Sequence, residues 1–96
     1  MQYLPLFVKL TDKPVLIVGG GSVALRKAGT LLSAGAKLTV VAPDFADEFV
    51  QWQHEGKAEL INGYFAPELL DGKLLVIAAT DNDAVNAAVY DAASAR

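Results

Sequence analysis

The sequence predicts an α/β fold in which a parallel sheet is wound with helices on both faces. Three observations carry this. Strand-like segments without polar alternation recur at residues 15–18, 37–41 and 74–79, the first and last wholly apolar and the second rich in β-branched residues, as in strands buried on both faces of a parallel sheet. The segments between them repeat their apolar residues at helical spacing. Glycine or a Pro-Asp pair punctuates most junctions, which breaks one element from the next.

The elements follow in order. Residues 4–10 form an apolar lead-in, read as a short extended segment, and Thr11-Asp12-Lys13-Pro14 is a turn. Strand one is residues 15–18. Helix one covers about 22–34, with Val23, Ala24, Ala28, Leu31 and Leu32 on one stripe and Gly35 as its stop. Strand two, 37–41, is rich in β-branched residues and ends at Ala42-Pro43-Asp44. Helix two carries Phe45, Phe49 and Trp52 at i, i+4 and i+7 and stops at Gly56. Strand three is residues 58–61. A loop over 62–72 holds one helical turn near 67–70. Strand four is residues 74–79. Thr80 to Asp83 cap a last helix with Val85, Ala88, Val89 and Ala92 on one face.

The order β-α-β-α-β-turn-β-α, with right-handed crossovers, gives a doubly wound sheet of strand order 3-2-1-4. Residues 1–96 are enough for one domain with one core. A chain of this kind normally adds a strand beside strand four, so the domain reads as lacking its next strand. Strand four is then an apolar sheet edge of the kind that recruits other strands.

The most specific local feature is the junction of strand one and helix one. Gly19, Gly21 and Ala24 are spaced G-x-G-x-x-A between a strand and a helix, the context that a dinucleotide-binding turn requires. Gly19 permits the sharp turn. Gly21 has no Cβ, so a pyrophosphate can approach the backbone, and Ala24 lets the helix pack close to the strand. The helix N-terminus offers free N–H groups and partial positive charge to phosphates. The competing reading is a tight turn that binds nothing. The fold is therefore expected to be Rossmann-like, with its ligand beyond the carboxyl ends of strands one and four. Three segments meet there: 19–23, 42–44 and 78–82.

Asp44 follows strand two, 25 positions after Gly19. A carboxylate there accepts hydrogen bonds from the adenosine ribose and repels a 2′-phosphate, which favours NAD over NADP. It is equally placed to cap helix two. Thr80, Asp81 and Asn82 either wall the nicotinamide end of the cleft or serve as a helix cap, with Thr80 accepting from the Asp83 N–H. Arg26 and Lys27 are read as exposed helix charges. His54 is read as a favourable charge at a helix C-terminus or as plain exposure.

Several classes of function are excluded by composition. The chain is 53% hydrophobic, with a net charge of −3 and eight scattered Lys and Arg residues. That is a globular composition without a basic footprint for nucleic acid. There is no cysteine, hence no disulfide, thiolate nucleophile or Cys-based metal site. No Ser-His-Asp set, metal cluster or carboxylate dyad is visible. The N-terminal residues lack a signal-peptide pattern and no apolar run reaches the length of a membrane span. The expected location is the cytoplasm.

Four segments together resemble one family. They are Tyr3 to Val8 (YLPLFV), residues 15–28 (VLIVGGGSVALRKA), 38–43 (LTVVAP) and 76–86 (VIAATDNDAVN). This combination is similar to the N-terminal module of siroheme synthases, precorrin-2 dehydrogenases that in several members are also sirohydrochlorin ferrochelatases. The resemblance covers the whole chain. It implies NAD-dependent oxidation of precorrin-2 to sirohydrochlorin, followed in some members by insertion of ferrous iron. It places the cofactor on Ser22-Val23 and Pro43-Asp44, with the Gly19-Gly20-Gly21 turn beneath the pyrophosphate and Thr80-Asp81-Asn82 near the nicotinamide. The family's catalytic aspartate follows the next strand, beyond Arg96, and its dimerisation region and helical substrate domain lie later still. The expectation is therefore a cofactor-binding portion, inactive alone, of a homodimeric enzyme. The alternative is a non-catalytic module in which NAD binding shifts a conformational equilibrium.

Overall fold

A computed structural model describes residues 10–95; the apolar lead-in over 4–9 and the Tyr3 to Val8 segment lie outside them. The chain runs β1 (Pro14–Val18), α1 (Ser22–Ser33), β2 (Lys37–Ala42), α2 (Asp47–His54), β3 (Ala58–Asn62), a 3₁₀ turn (Pro67–Leu70), β4 (Leu75–Ala78) and α3 (Asp83–Ser94). Among the described residues the sheet has four strands in the order β3-β2-β1-β4, all parallel. The apolar runs and the strand order of the sequence reading are thus observed, with boundaries moved by one or two residues.

The sheet separates two cores because successive strand residues point to opposite faces. On one face Val15, Ile17, Leu38 and Val40 pack against Ala24, Ala28 and Leu31 of α1 and Phe49 of α2. On the other, Leu16, Val18 and Val41 pack against Leu70 of the 3₁₀ turn and Val89 of α3. Phe49 is fully buried and meets both Phe45 and Trp52 edge-to-face, with ring centroids 6.0 and 5.6 Å away. All three aromatics of the predicted stripe are therefore core, although Phe45 precedes the first turn of α2. Two stripe assignments need correction. Val23 is 46% exposed, because at the second position of α1 it lies beyond the sheet end and lines the open cleft there. Ala88 is exposed, and α3 instead buries Val89 with Val85, Ala92 and Ala93 beside it.

The strands share an entry rule. Lys13 directly precedes β1, Lys37 opens β2, Lys57 directly precedes β3, and Lys73 stands two residues ahead of β4. Each of the four described strands is thus entered at or shortly after a lysine. At the opposite pole the strands end close together, and the loops leaving them form a cleft.

Candidate functional site

A cleft of about 820 Å³ lies across the carboxyl ends of β1, β2 and β4. That is within the usual span of small-molecule and cofactor pockets, about 300–1,000 Å³. Its walls include the expected segments 19–23 and 42–44 and, of the expected 78–82, residues 79–82 without Ala78, joined by residues 63–65 after β3.

The glycine turn sits at the centre, and its three glycines have three different jobs. Gly19 has φ of +138°, a conformation that side chains rarely adopt, and a Cβ there would meet the Ala79 carbonyl oxygen at 2.3 Å. A Cβ on Gly20 would fall 2.1 Å from the Asp44 carbonyl oxygen and 2.9 Å from the Ala42 Cβ. Gly20 therefore lets the β2–α2 connection lie directly against the turn, where the Ala46 N–H donates to the Gly20 carbonyl at 2.8 Å. Gly21 differs. A Cβ on it would meet nothing within 4 Å, and its backbone is extended at φ −95° and ψ −161°. The fold does not demand glycine there; the space before it is open.

Gly21 is also the N-cap of α1, and no side chain caps that end. The first bond back along the helix is Leu25 N–H to the Gly21 carbonyl, 2.9 Å. The preceding N–H groups of the first turn are the ones an α-helix leaves without intrahelical partners. They carry the positive end of the helix dipole to the cleft.

Asp44 lies on the exposed rim. It is not a helix cap: the N-cap of α2 is Ala46, which makes no side-chain cap bond. Pro43, Asp44 and Phe45 are spent crossing the glycine turn before the helix begins. The loop is held from the β3 side, where Asn62 Nδ2 donates to the Pro43 carbonyl (2.8 Å) and the Gly63 N–H donates to the Ala42 carbonyl (2.9 Å). The carboxylate of Asp44 forms no hydrogen bond or ion pair among the described residues.

The wall beyond β4 corrects the sequence reading of its cap. Asn82, not Thr80, caps α3, accepting from the Val85 N–H at 3.1 Å. Thr80 instead folds the turn on itself: its Oγ1 accepts from the Asn82 N–H at 3.0 Å. Asn86, one turn into α3, clamps that residue. Its Oδ1 accepts from the Thr80 N–H (3.2 Å) and Oγ1 (2.8 Å), and its Nδ2 donates to the Thr80 carbonyl (3.0 Å). Asp81 stands exposed at the tip. Sequence reasoning missed Asn62, Tyr64 and Asn86. The two asparagines act on residues 19 and 6 positions away, and no local spacing announces either.

Arg26, Lys27 and His54 are exposed and none of them lines the cleft. Among the described residues no group of three or more His, Cys, Asp or Glu is placed to hold a metal, and no helix is long and apolar enough to cross a membrane.

Comparison with known proteins adds three findings. A family model described as "Putative NAD(P)-binding" matches residues 6–96. Siroheme synthase 3 of Aeromonas hydrophila subsp. hydrophila is 55% identical over 94 residues, and siroheme synthase of Pseudoalteromonas translucida is 52% identical over 95. These alignments take in 98% and 99% of this chain but 20% of each relative, so the chain spans about a fifth of the length of the curated relatives it matches. The solved structure of SirC, a precorrin-2 dehydrogenase, superposes with a TM-score of 0.85 at 32% identity, over 92% of this chain and 44% of that one.

Proposed function

Because the chain belongs to the NAD(P)-binding family whose model spans nearly all of it, we propose that its cleft holds NAD for the oxidation of precorrin-2 to sirohydrochlorin. The observation that carries this reading is the open space at Gly21 before an uncapped helix N-terminus. A pyrophosphate needs both close approach to backbone and unsatisfied N–H donors.

The residues present fit that cofactor. Gly21 leaves room for the phosphates, and the first-turn N–H groups of Ser22 and Val23 face them. Asp44, unpartnered on the β2 side, accepts from the adenosine ribose hydroxyls and disfavours a 2′-phosphate by charge repulsion. Gly19 and Gly20 build the turn itself, and Pro43 fixes the loop that carries Asp44. Thr80, Asp81 and Asn82 wall the nicotinamide side, with Asn86 holding their shape. NAD, when bound, supplies the hydride acceptor. The protein orients that ring and shelters it from water on the β4 side.

The similarity to siroheme synthases and to a precorrin-2 dehydrogenase supports a tetrapyrrole substrate. Oxidation removes a hydride to NAD and releases a proton. Ferrous iron as a second substrate, a homodimeric parent and a cytoplasmic location belong to the same proposal. The test is NADH formation with precorrin-2 as substrate, together with calorimetric titration of NAD. Saturable NAD binding without NADH formation is expected of residues 1–96 alone, and NADH formation when they replace the matching segment of a full-length siroheme synthase. A protein that binds neither NAD nor NADP refutes the assignment.

A further inference from the structure

The loop after β3 carries a feature that the glycine motif does not account for. Tyr64 is 78% exposed, yet it lies along the cleft beside the β2–α2 connection. Single exposed aromatics are unremarkable by themselves. This one is mounted on a fixed support. On one side Asn62 Nδ2 is bonded to the Pro43 carbonyl and the Gly63 N–H to the Ala42 carbonyl, 2.8 and 2.9 Å. On the other, Phe65 packs against the core of Leu16, Val18, Val41 and Leu70. The residues flanking Tyr64 are thus held while its own side chain is left in solvent.

The support fixes Tyr64 to the same loop that presents Asp44. We propose that the Tyr64 ring is the stacking surface for the adenine base of the dinucleotide, making it a positioning residue for the adenosine half. This rests on the reading of the cleft as an NAD site and goes beyond it. With the ribose held at Asp44, the base extends away from the glycine turn, toward the β3 side of the sheet. The group available there is an aromatic face. An exposed tyrosine meets a base with little loss of side-chain freedom, and its apolar ring gives stacking without a need for specific hydrogen bonds. Burial of the ring on binding also explains why so large an apolar surface is kept at the cleft edge.

The test compares the unsubstituted protein with Tyr64→Ala and Tyr64→Phe, titrated with NAD, ADP-ribose and nicotinamide mononucleotide. Exposure of Tyr64 makes folding insensitive to either change, and thermal unfolding of each variant verifies that. Tyr64→Ala is expected to weaken NAD and ADP-ribose by roughly 5- to 150-fold, the range for loss of one base–aromatic stack. Tyr64→Phe keeps the ring and should stay within about twofold of the unsubstituted protein. Nicotinamide mononucleotide, which has no adenine, should bind all three alike. Undiminished NAD affinity in Tyr64→Ala overturns the inference while leaving the NAD site in place. So does an equal loss in Tyr64→Phe, or a parallel loss for nicotinamide mononucleotide. Failure of the unsubstituted protein to bind NAD removes the underlying reading and this inference with it.

Discussion

Two adjacent glycines should respond to substitution in opposite ways. Gly21→Val places a branched side chain into space that is empty within 4 Å, on a backbone whose φ and ψ suit any residue. Its cost to folding is that of a poor N-cap, about 1 kcal/mol relative to glycine, or about 4–8 °C in Tm for a domain of this size. Its cost to binding is larger. The new methyl groups stand before the first-turn N–H donors, and loss of two charge-assisted bonds to phosphate removes about 3–6 kcal/mol. NAD affinity should fall roughly a hundredfold or more. Gly20→Ala does the reverse. Its Cβ would sit 2.1 Å from the Asp44 carbonyl oxygen, and backbone cannot rotate out of the way. Separation to ordinary contact displaces the β2–α2 loop and costs at least the 1–3 kcal/mol typical of overpacking. Calorimetry with NAD and thermal unfolding of both variants read the two effects. Unchanged NAD affinity in folded Gly21→Val refutes the placement of the pyrophosphate. A Gly20→Ala protein as stable as its parent refutes the close approach.

Other substitutions isolate the remaining parts. Asp44→Asn leaves folding unaffected, because Asp44 caps nothing. It should shift the ratio of NAD to NADP affinity toward NADP by roughly tenfold, measured by parallel titrations; an unmoved ratio removes Asp44 from the ribose site. Asn86→Ala strips the clamp from Thr80 and leaves a part-buried N–H without its acceptor. About 1–3 kcal/mol of stability should be lost by denaturant unfolding, and wild-type stability would mean that the clamp is ornamental. Phe49→Ala opens the core between α2 and the sheet and should cost about 3–5 kcal/mol by the same measurement.

The framework of this protein was legible because β1 and β4 are continuous apolar runs and α1 and α2 are followed by glycines with positive φ, Gly35 and Gly56. Neither signal depends on distant residues. The details that failed are those decided by three-dimensional neighbours. Asp44 and Ala46 are two residues apart, and chemistry alone favours the aspartate as cap. The choice fell to the alanine because the chain must first cross over Gly20. Thr80 and Asn82 are both good caps, and the clamp from Asn86 settled which one serves. Val23 belongs by spacing to the buried stripe, yet its place in the first turn of α1 leaves it beyond the sheet end. Tyr64 sits in a loop with no period to read, so its exposure at the cleft could be seen only in the folded chain.

The lysine at the entrance to each strand has a meaning before folding is complete. Val-Leu-Ile-Val, Leu-Thr-Val-Val-Ala and Leu-Leu-Val-Ile-Ala are short, uncharged and rich in β-formers, the composition that drives strands of separate chains to associate. While the chain is unfolded these segments lie open to solvent. Parallel pairing is slow, because each strand must wait for a helix to bring its neighbour round. A charge fixed at the head of each segment keeps like segments from stacking in register during that interval. Lys13, Lys37 and Lys73, at the heads of these three segments, are thus placed where charge opposes such association, in a stage of the protein's life when the cleft does not yet exist.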